Sequence, residues 1–333
     1  MTIKNTVYSL HQRLKDLTNP PIKLTHVYEL VAAAFGFNSY ASLKSVAILT
    51  NLDDPTKANQ DLILQRSSLL GYQAFPAGEL VATLEEEGLG TLTFSELAIK
   101  LRENDHFVDD DLDQLIAAET NAWAIYCLAL YYEDSSDDDQ VGSDYWYNQM
   151  QAGRQLGGIE KAWALEYKEQ QANGNRYENY LRKAASLGCD LALLDLAEQF
   201  DESTFFEGDY RNVAADPMSI AEIAQNLGRN KDQHRWLTVA AESGNIEAMR
   251  ELIEDFDSKD LVRCWTWIYL SQLLGKDLTK DRHYAIHENG SDYDDDVGGP
   301  MYVDGIYGIS LDPLYKEQET LAKLAAEAIF KKL

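Results

Sequence analysis

The chain has 333 residues, with 56 acidic against 29 basic side chains and a formal charge of −27. That imbalance argues against a phosphate-binding protein, because counterion release needs clustered Lys and Arg, and it opposes docking on anionic lipid. Hydrophobic residues at 45% and aromatics at 11% belong to a folded chain rather than a disordered one, and the length allows one extended domain or two compact ones.

The first residues, MTIKNTVYSLHQRLKDLTNPP, include bases but no continuous apolar core and no small-residue cleavage site, so they do not read as a secretory signal. Residues 1–50 hold Lys4, Arg13, Lys15, Lys23 and Lys44 against Asp16 and Glu29, a local charge of +3 that leaves −30 for the rest. This shift marks off an N-terminal helical module over residues 1–55. Pro20-Pro21 blocks any helix across it, since proline lacks a donor and restricts its predecessor. A helical run follows from Leu24 to Phe35, with Thr25 or Asn19 near its start and Gly36 placed to end it in a left-handed cap. A second short helix is expected from Ser39 to Leu49, and residues 51–59, with Asp53, Asp54 and Pro55, read as a linker.

Residues 60–119 read as short helices leading onward, broken at Gly71, Pro76-Ala-Gly78 and Gly88-Leu-Gly90, with Thr93 or Ser95 capping the next. Two acidic stretches, EDSSDDD at 133–139 and DYDDD at 292–296 followed by Gly298-Gly-Pro300, read as surface loops; the second belongs to an acidic loop near 288–300. Alternating extended patterns are nearly absent, which predicts an all-α chain.

The strongest signal is a repeat. YLRKAASLGCDLALLDLAEQF (180–200) aligns with WLTVAAESGNIEAMRELIEDF (236–256) at an offset of 56, and eight positions agree in character: 180/236, 181/237, 184/240, 185/241, 188/244, 192/248, 196/252 and 200/256. The aromatic, aliphatic and paired alanines share one helical face. Small alanines let two helix axes approach closely, and the glycine closes the helix. An alanine four residues later opens a second helix, whose Leu and aromatic stay on one stripe. The unit is a helical hairpin. Weaker copies occur at Ala124, Leu128, Ala129 and Tyr132, at Ala152-Gly153 with Gly157-Gly158 and Ala162, and at Trp267, Ile268, Ser271 and Gly275. Helix ends at Gly157, Gly188, Gly244 and Gly275 are 31, 56 and 31 residues apart, so the middle interval implies an insertion of about 25 residues. We place it near 201–228, with a helix of its own near Ser219 to Leu227.

YLRKAASLGCDLALLDLA and WLTVAAESGNIEA resemble Sel1-like repeats, relatives of the tetratricopeptide repeat, and LDPLYKEQETLAKLAAEAIFKKL is similar to the helix that closes such arrays. The resemblance covers roughly residues 120–333. It implies a right-handed α-solenoid of stacked hairpins that serves as a protein-interaction scaffold, with no catalytic residue to carry over. A solenoid repeat cannot bury its apolar face alone, so hairpins stack and leave a long concave surface. Trp236 and Trp267 take the repeat's core aromatic position. Trp123 lies one residue before the Ala124 stripe on the opposite face, and Trp146 and Trp265 flank the core aromatic position of their helices. Those three are the candidate partner-binding residues.

Other chemistry is thin. His283-x-x-x-His287 lacks the Glu of a zinc-protease helix. Asp292, Asp294 and Asp296 have the 1, 3, 5 spacing of a calcium loop, but Val297 stands in place of its Gly and Val303 in place of its Glu. No Gly-x-Gly-x-x-Gly, Walker loop or Gly-x-Ser-x-Gly occurs. No apolar run approaches the ~20 residues of a membrane helix, and the well-separated cysteines Cys127, Cys189 and Cys264 read as reduced core residues of a cytoplasmic protein. The expectation is a non-enzymatic, cytoplasmic adaptor without cofactor or metal, binding a protein or peptide with a basic surface. The alternative is a nucleic-acid-binding regulator, in which Ala32-x-x-x-Gly36 marks a helix-turn-helix-like N-terminal module.

Overall fold

The computed structural model describes residues 3–52, 57–103, 109–133, 143–208, 210, 213–291, 293 and 300–333, the side chains of 3–4 and 109–111 excepted. Among the described residues the chain is mostly helical, 64% helix in 16 helices, with two small antiparallel hairpins that the all-α expectation did not include. It divides into two compact units, residues 1–196 and 197–333.

The first unit opens with α1 (Ile3–Lys15), α2 (Leu24–Ala34) and α3 (Tyr40–Val46), then strand β1 (Ala47–Asn51). Next come α4 (Gln60–Leu69), α5 (Ala77–Glu86), β2 (Leu89–Thr93), α6 (Phe94–Arg102) and α7 (Asp109–Ala117). Helices α8 (Ala122–Tyr131), α9 (Ser143–Gln151) and α10 (Gly158–Ser186) follow, and the unit boundary falls within α11 (Asp190–Phe200). One hydrophobic core runs through the segments read as 1–55 and 60–119. It joins Leu10 and Leu14 of α1, Val27, Leu30 and Val31 of α2, Leu43, Leu49, Ile63, Leu80, Leu84 and Leu89. Gly36 ends α2 at φ +85°, and Phe37 N donates to Ala32 O at 3.0 Å. Thr93 caps α6 in a reciprocal capping box with Glu96.

The helix expected from Ser39 to Leu49 stops at Val46. Ala47 to Asn51 instead pair antiparallel with β2, Ala47 opposite Thr93 and Asn51 opposite Leu89. A short apolar run such as Val46-Ala-Ile-Leu-Thr is ambiguous by periodicity, and a partner strand far along the chain decides it. The outer edge of β1 is closed by a side chain: Gln114 Oε1 accepts from Leu49 N at 3.0 Å and Gln114 Nε2 donates to Leu49 O at 2.9 Å. The amide thus supplies the pairing a third strand would give.

The helix end expected near Gly157 lies at Gly153, with φ +87° and Arg154 N donating to Gln149 O. Gly157 is the N-cap of α10, which runs for 29 residues through Gly174 without a turn.

The second unit begins with a 3-10 turn at Ser203–Glu207. Then come α12 (Pro217–Asn226), where the insertion helix was expected, α13 (Asn230–Glu242) and α14 (Ile246–Glu251), prolonged by a π-helical turn at Leu252–Phe256. Helix α15 (Leu261–Leu273), the hairpin β3 (Arg282–Ile286) and β4 (Tyr302–Ile306), and α16 (Lys316–Phe330) complete it. Helices pack in chain order, α12 on α13, α13 on α14, α14 on α15 and α15 on α16.

The two repeat copies agree through the first helix, its cap and the start of the second helix, and differ at 252–256, where the second copy is π-helical and the first is α-helical at 196–200. Leu181 and Leu237, Ala184 and Ala240, Ala192 and Ala248, and Leu196 and Leu252 are all buried. Gly188 and Gly244 sit at φ +94° and +97°, and in each copy the next residue's N–H returns to the first alanine's carbonyl, Cys189 to Ala184 and Asn245 to Ala240. That bond and the left-handed glycine together close a helix whose last carbonyls have no helical partner.

Candidate functional site

Within the first unit, α2, α3 and the junction of α7 with α8 enclose an open cleft of about 590 Å³, a size suited to a small ligand. Helix α2 contributes Thr25, Tyr28 and Glu29, α3 contributes Tyr40, Ala41, Lys44 and Ser45, and the junction contributes Ala117, Ala118, Thr120 and Asn121. Asn121 fixes the far wall: its Oδ1 accepts from Trp123 N and Ala124 N as the α8 cap, while its Nδ2 donates to Ser45 O at 2.9 Å. One short polar side chain therefore starts α8 and ties it to α3.

The Tyr28 and Tyr40 rings lie 4.6 Å apart at 40°, and Lys44 Nζ stands 5.8 Å from the Tyr40 ring centre. Burial, with Tyr28 adding to it, pushes the Tyr40 phenol up to about 12, so it stays a neutral hydroxyl at physiological pH. Glu29 is already engaged: Oε1 accepts from Tyr40 N at 3.3 Å and Oε2 meets Arg66 Nη1 at 3.2 Å. The cleft therefore combines two aromatic walls, a compensated carboxylate and one ammonium.

Two buried polar clusters have a different character. In the first unit Arg102 Nη1 donates to Asp195 Oδ1 and to the Tyr126 hydroxyl, and that hydroxyl donates to Asp195 Oδ2, each at 2.5 Å. Burial pushes the Asp195 carboxyl up against the pull of Arg102 and Tyr126, and pushes the fully buried Tyr126 phenol up as well. Burial pulls the Arg102 guanidinium down, and Asp195 and Tyr126 outweigh it and push it up. In the second unit the buried Asp257, just after the π-turn, receives Trp267 Nε1 at 2.9 Å, with His234 Nε2 at 3.0 Å and Arg263 Nε at 2.8 Å. His234 also stacks flat on Phe256, ring centres 5.1 Å apart. Both clusters cross-tie helices through buried polar groups; in the second, Arg263 Nε lies close to Asp257 but makes no hydrogen bond.

The three tryptophans expected to meet a partner are each half-buried. Trp123 lies edge-on to Tyr126 at 6.2 Å. Trp146 carries the Arg154 guanidinium 5.3 Å over its ring. Trp265 donates its indole N–H to Asp312 O at 2.9 Å and leans on Tyr269. Trp123 and Trp146 belong to the first unit and Trp265 to the second, while Trp236 and Trp267 are buried as core. His283 lies on β3 and His287 just past its end, so this pair shares no helix face. Asp292, Asp294 and Asp296 lie outside the described residues, as does most of the 133–139 stretch. Among the described residues no group of His, Cys, Asp and Glu is arranged to hold a metal, and no helix is long and apolar enough to cross a membrane. Cys127, Cys189 and Cys264 are buried free thiols, and burial pushes Cys189 up to about 12 and Cys264 up to about 11. Helix α3, the second helix of the helix-turn-helix-like pair, has only seven residues and a single cation, Lys44.

Sequence reasoning overlooked the cleft residues. Tyr40 and Lys44, four apart on one helix, were the available signal, but Tyr28 and Asn121 reach them only through folding. The chain matches no protein-family model, no curated protein and no solved structure.

Proposed function

We propose that this protein is a non-enzymatic adaptor of the Sel1-like, tetratricopeptide-related kind, whose stacked helical hairpins bind another protein or peptide. The agreement of the two hairpins about Gly188 and Gly244, in both burial and cap geometry, carries this reading. Chain-order packing from α12 to α16 supports it, because a hairpin that cannot bury its own apolar face must stack on its neighbour. The second unit also leaves large apolar side chains in water: Leu321 and Leu324 on α16, with Tyr307 and Tyr315 before it. Leu321 and Leu324, three apart on α16, share one helical face, the spacing by which a helix offers apolar side chains to a partner. At −27 overall the partner surface is basic, and the half-buried Trp265 supplies an amphipathic rim.

The test is cross-linked capture by the full chain from native extract at low and high salt, with the linked residues mapped. The expected result is a protein partner that is lost at high salt and linked to α12–α16. Loss of its binding in Leu321→Glu/Leu324→Glu, with unchanged circular dichroism, completes the expectation. Recovery of nucleic acid linked to residues 1–50 would move the function to the N-terminal module, and capture of nothing would overturn the adaptor reading.

A further inference from the structure

None of the residues lining the cleft of the first unit belongs to the two aligned hairpins. Asn121 and Glu29 are engaged, but other polar groups of the cleft are unspent. Among the described residues the Lys44 ammonium has no ion-pair partner, and the hydroxyls of Tyr28, Tyr40 and Thr25 make no hydrogen bond. Lys44 is one of several lysines without an ion pair among the described residues, and it is the one that lines this cleft. The neighbouring carboxylate, Glu29, is tied to Arg66 and to the Tyr40 backbone, so it does not supply the missing counter-charge. What the cleft offers is an array of hydrogen-bond donors around one cation, set against two phenol faces.

We propose that this cleft binds a small aromatic carboxylate, its ring against Tyr28 and Tyr40 and its carboxylate on Lys44 Nζ. One ammonium matches one carboxylate in charge, whereas a polyphosphate would need several cations. The Tyr28 and Tyr40 rings pack on each other at 4.6 Å, and the aromatic surface outside their mutual contact is what a ligand ring can meet, offset or edge-on. The volume of about 590 Å³ admits a single-ring acid with room for further substituents. The Tyr40 hydroxyl remains protonated across the working pH range and donates to the anion rather than repelling it.

The test is ligand-detected and side-chain NMR on the full chain with three single-ring probes of nearly one size: benzoate, benzyl alcohol and benzylamine. The acid is expected to bind about 5- to 10-fold more tightly than the alcohol, the lower range for a charge-assisted contact at a half-exposed site. Lys44→Met should abolish that preference while leaving the alcohol unchanged, and Tyr40→Ala should weaken both. Both substitutions fall on α3 near the surface, and circular dichroism confirms that each variant is folded. Benzylamine binding as tightly as the acid, an acid affinity unaltered in Lys44→Met, or no binding of the acid would each overturn the proposal. None of these outcomes bears on the hairpins' protein partner.

Discussion

Replacing Asp195 by alanine removes the acceptor shared by Arg102 and Tyr126. The Tyr126 hydroxyl, with no solvent exposure, keeps Arg102 as donor but loses the oxygen its own proton reaches; an unmet buried donor costs about 1–3 kcal/mol. Arg102 loses its counter-ion, and breaking a buried pair costs about 3–5 kcal/mol. The arginine side chain is 31% exposed, against 6% for Asp195, so water recovers part of that, and the expected total is about 3–4 kcal/mol. The assay is urea unfolding followed by circular dichroism, together with amide exchange in α8, which reads the first unit alone. The informative companion is Arg102→Met/Tyr126→Phe/Asp195→Leu, which leaves no polar group unmatched. It should cost less than Asp195→Ala alone, because the penalty belongs to stranded groups rather than to the loss of the network. A cost below about 1 kcal/mol for Asp195→Ala, or a triple substitution worse than the single one, would refute this account.

Four further outcomes follow from the geometry. Gly188→Ala should destabilise by about 1 kcal/mol although nothing lies within 4 Å of the new methyl, since φ is +94°. Gly174→Ala, inside α10 and equally unobstructed, should stabilise by about 0.5–1 kcal/mol, and urea midpoints of the two variants read the opposite signs. Ala240→Trp should cost at least about 1–3 kcal/mol in thermal or urea unfolding, because Ala240 is buried in the paired-alanine position of α13; an unchanged midpoint would contradict close packing there. Hydrogen bonding from Thr279 holds the Asp277 carboxyl down to about 2, below its ordinary 3.8. Its stabilising contribution is therefore complete above the ordinary value and fades as pH falls through about 2. An NMR titration of the Asp277 carboxyl should show that low midpoint, and Thr279→Val should raise it.

Features encoded within a turn or two of chain could be read from the sequence. Gly36, Gly188, Gly244 and Gly275 all adopt the left-handed conformation that ends a helix, since a residue without Cβ pays least there and the closing bonds span only five residues. Thr93 with Glu96, and the apolar stripe of the paired hairpins, are equally local. What depended on distant partners was not available. The run after Val46 is a strand because Leu89–Thr93 pairs with it and Gln114 closes its edge. The hairpin β3–β4 joins two five-residue segments too short for a periodicity to register. Helix α10 passes straight through Gly174, where local propensity permits either continuation or a turn and packing on α8 and α9 accompanies continuation. The candidate cleft is of this second kind. Tyr40 and Lys44 are neighbours by helical spacing alone, but Tyr28 joins them through the packing of α2 on α3, and Asn121 through a bond spanning 76 residues. Helix caps are determined by the backbone needs of the residues that form them, whereas strand pairing and cavities are determined by which surfaces meet, and only the folded chain decides that.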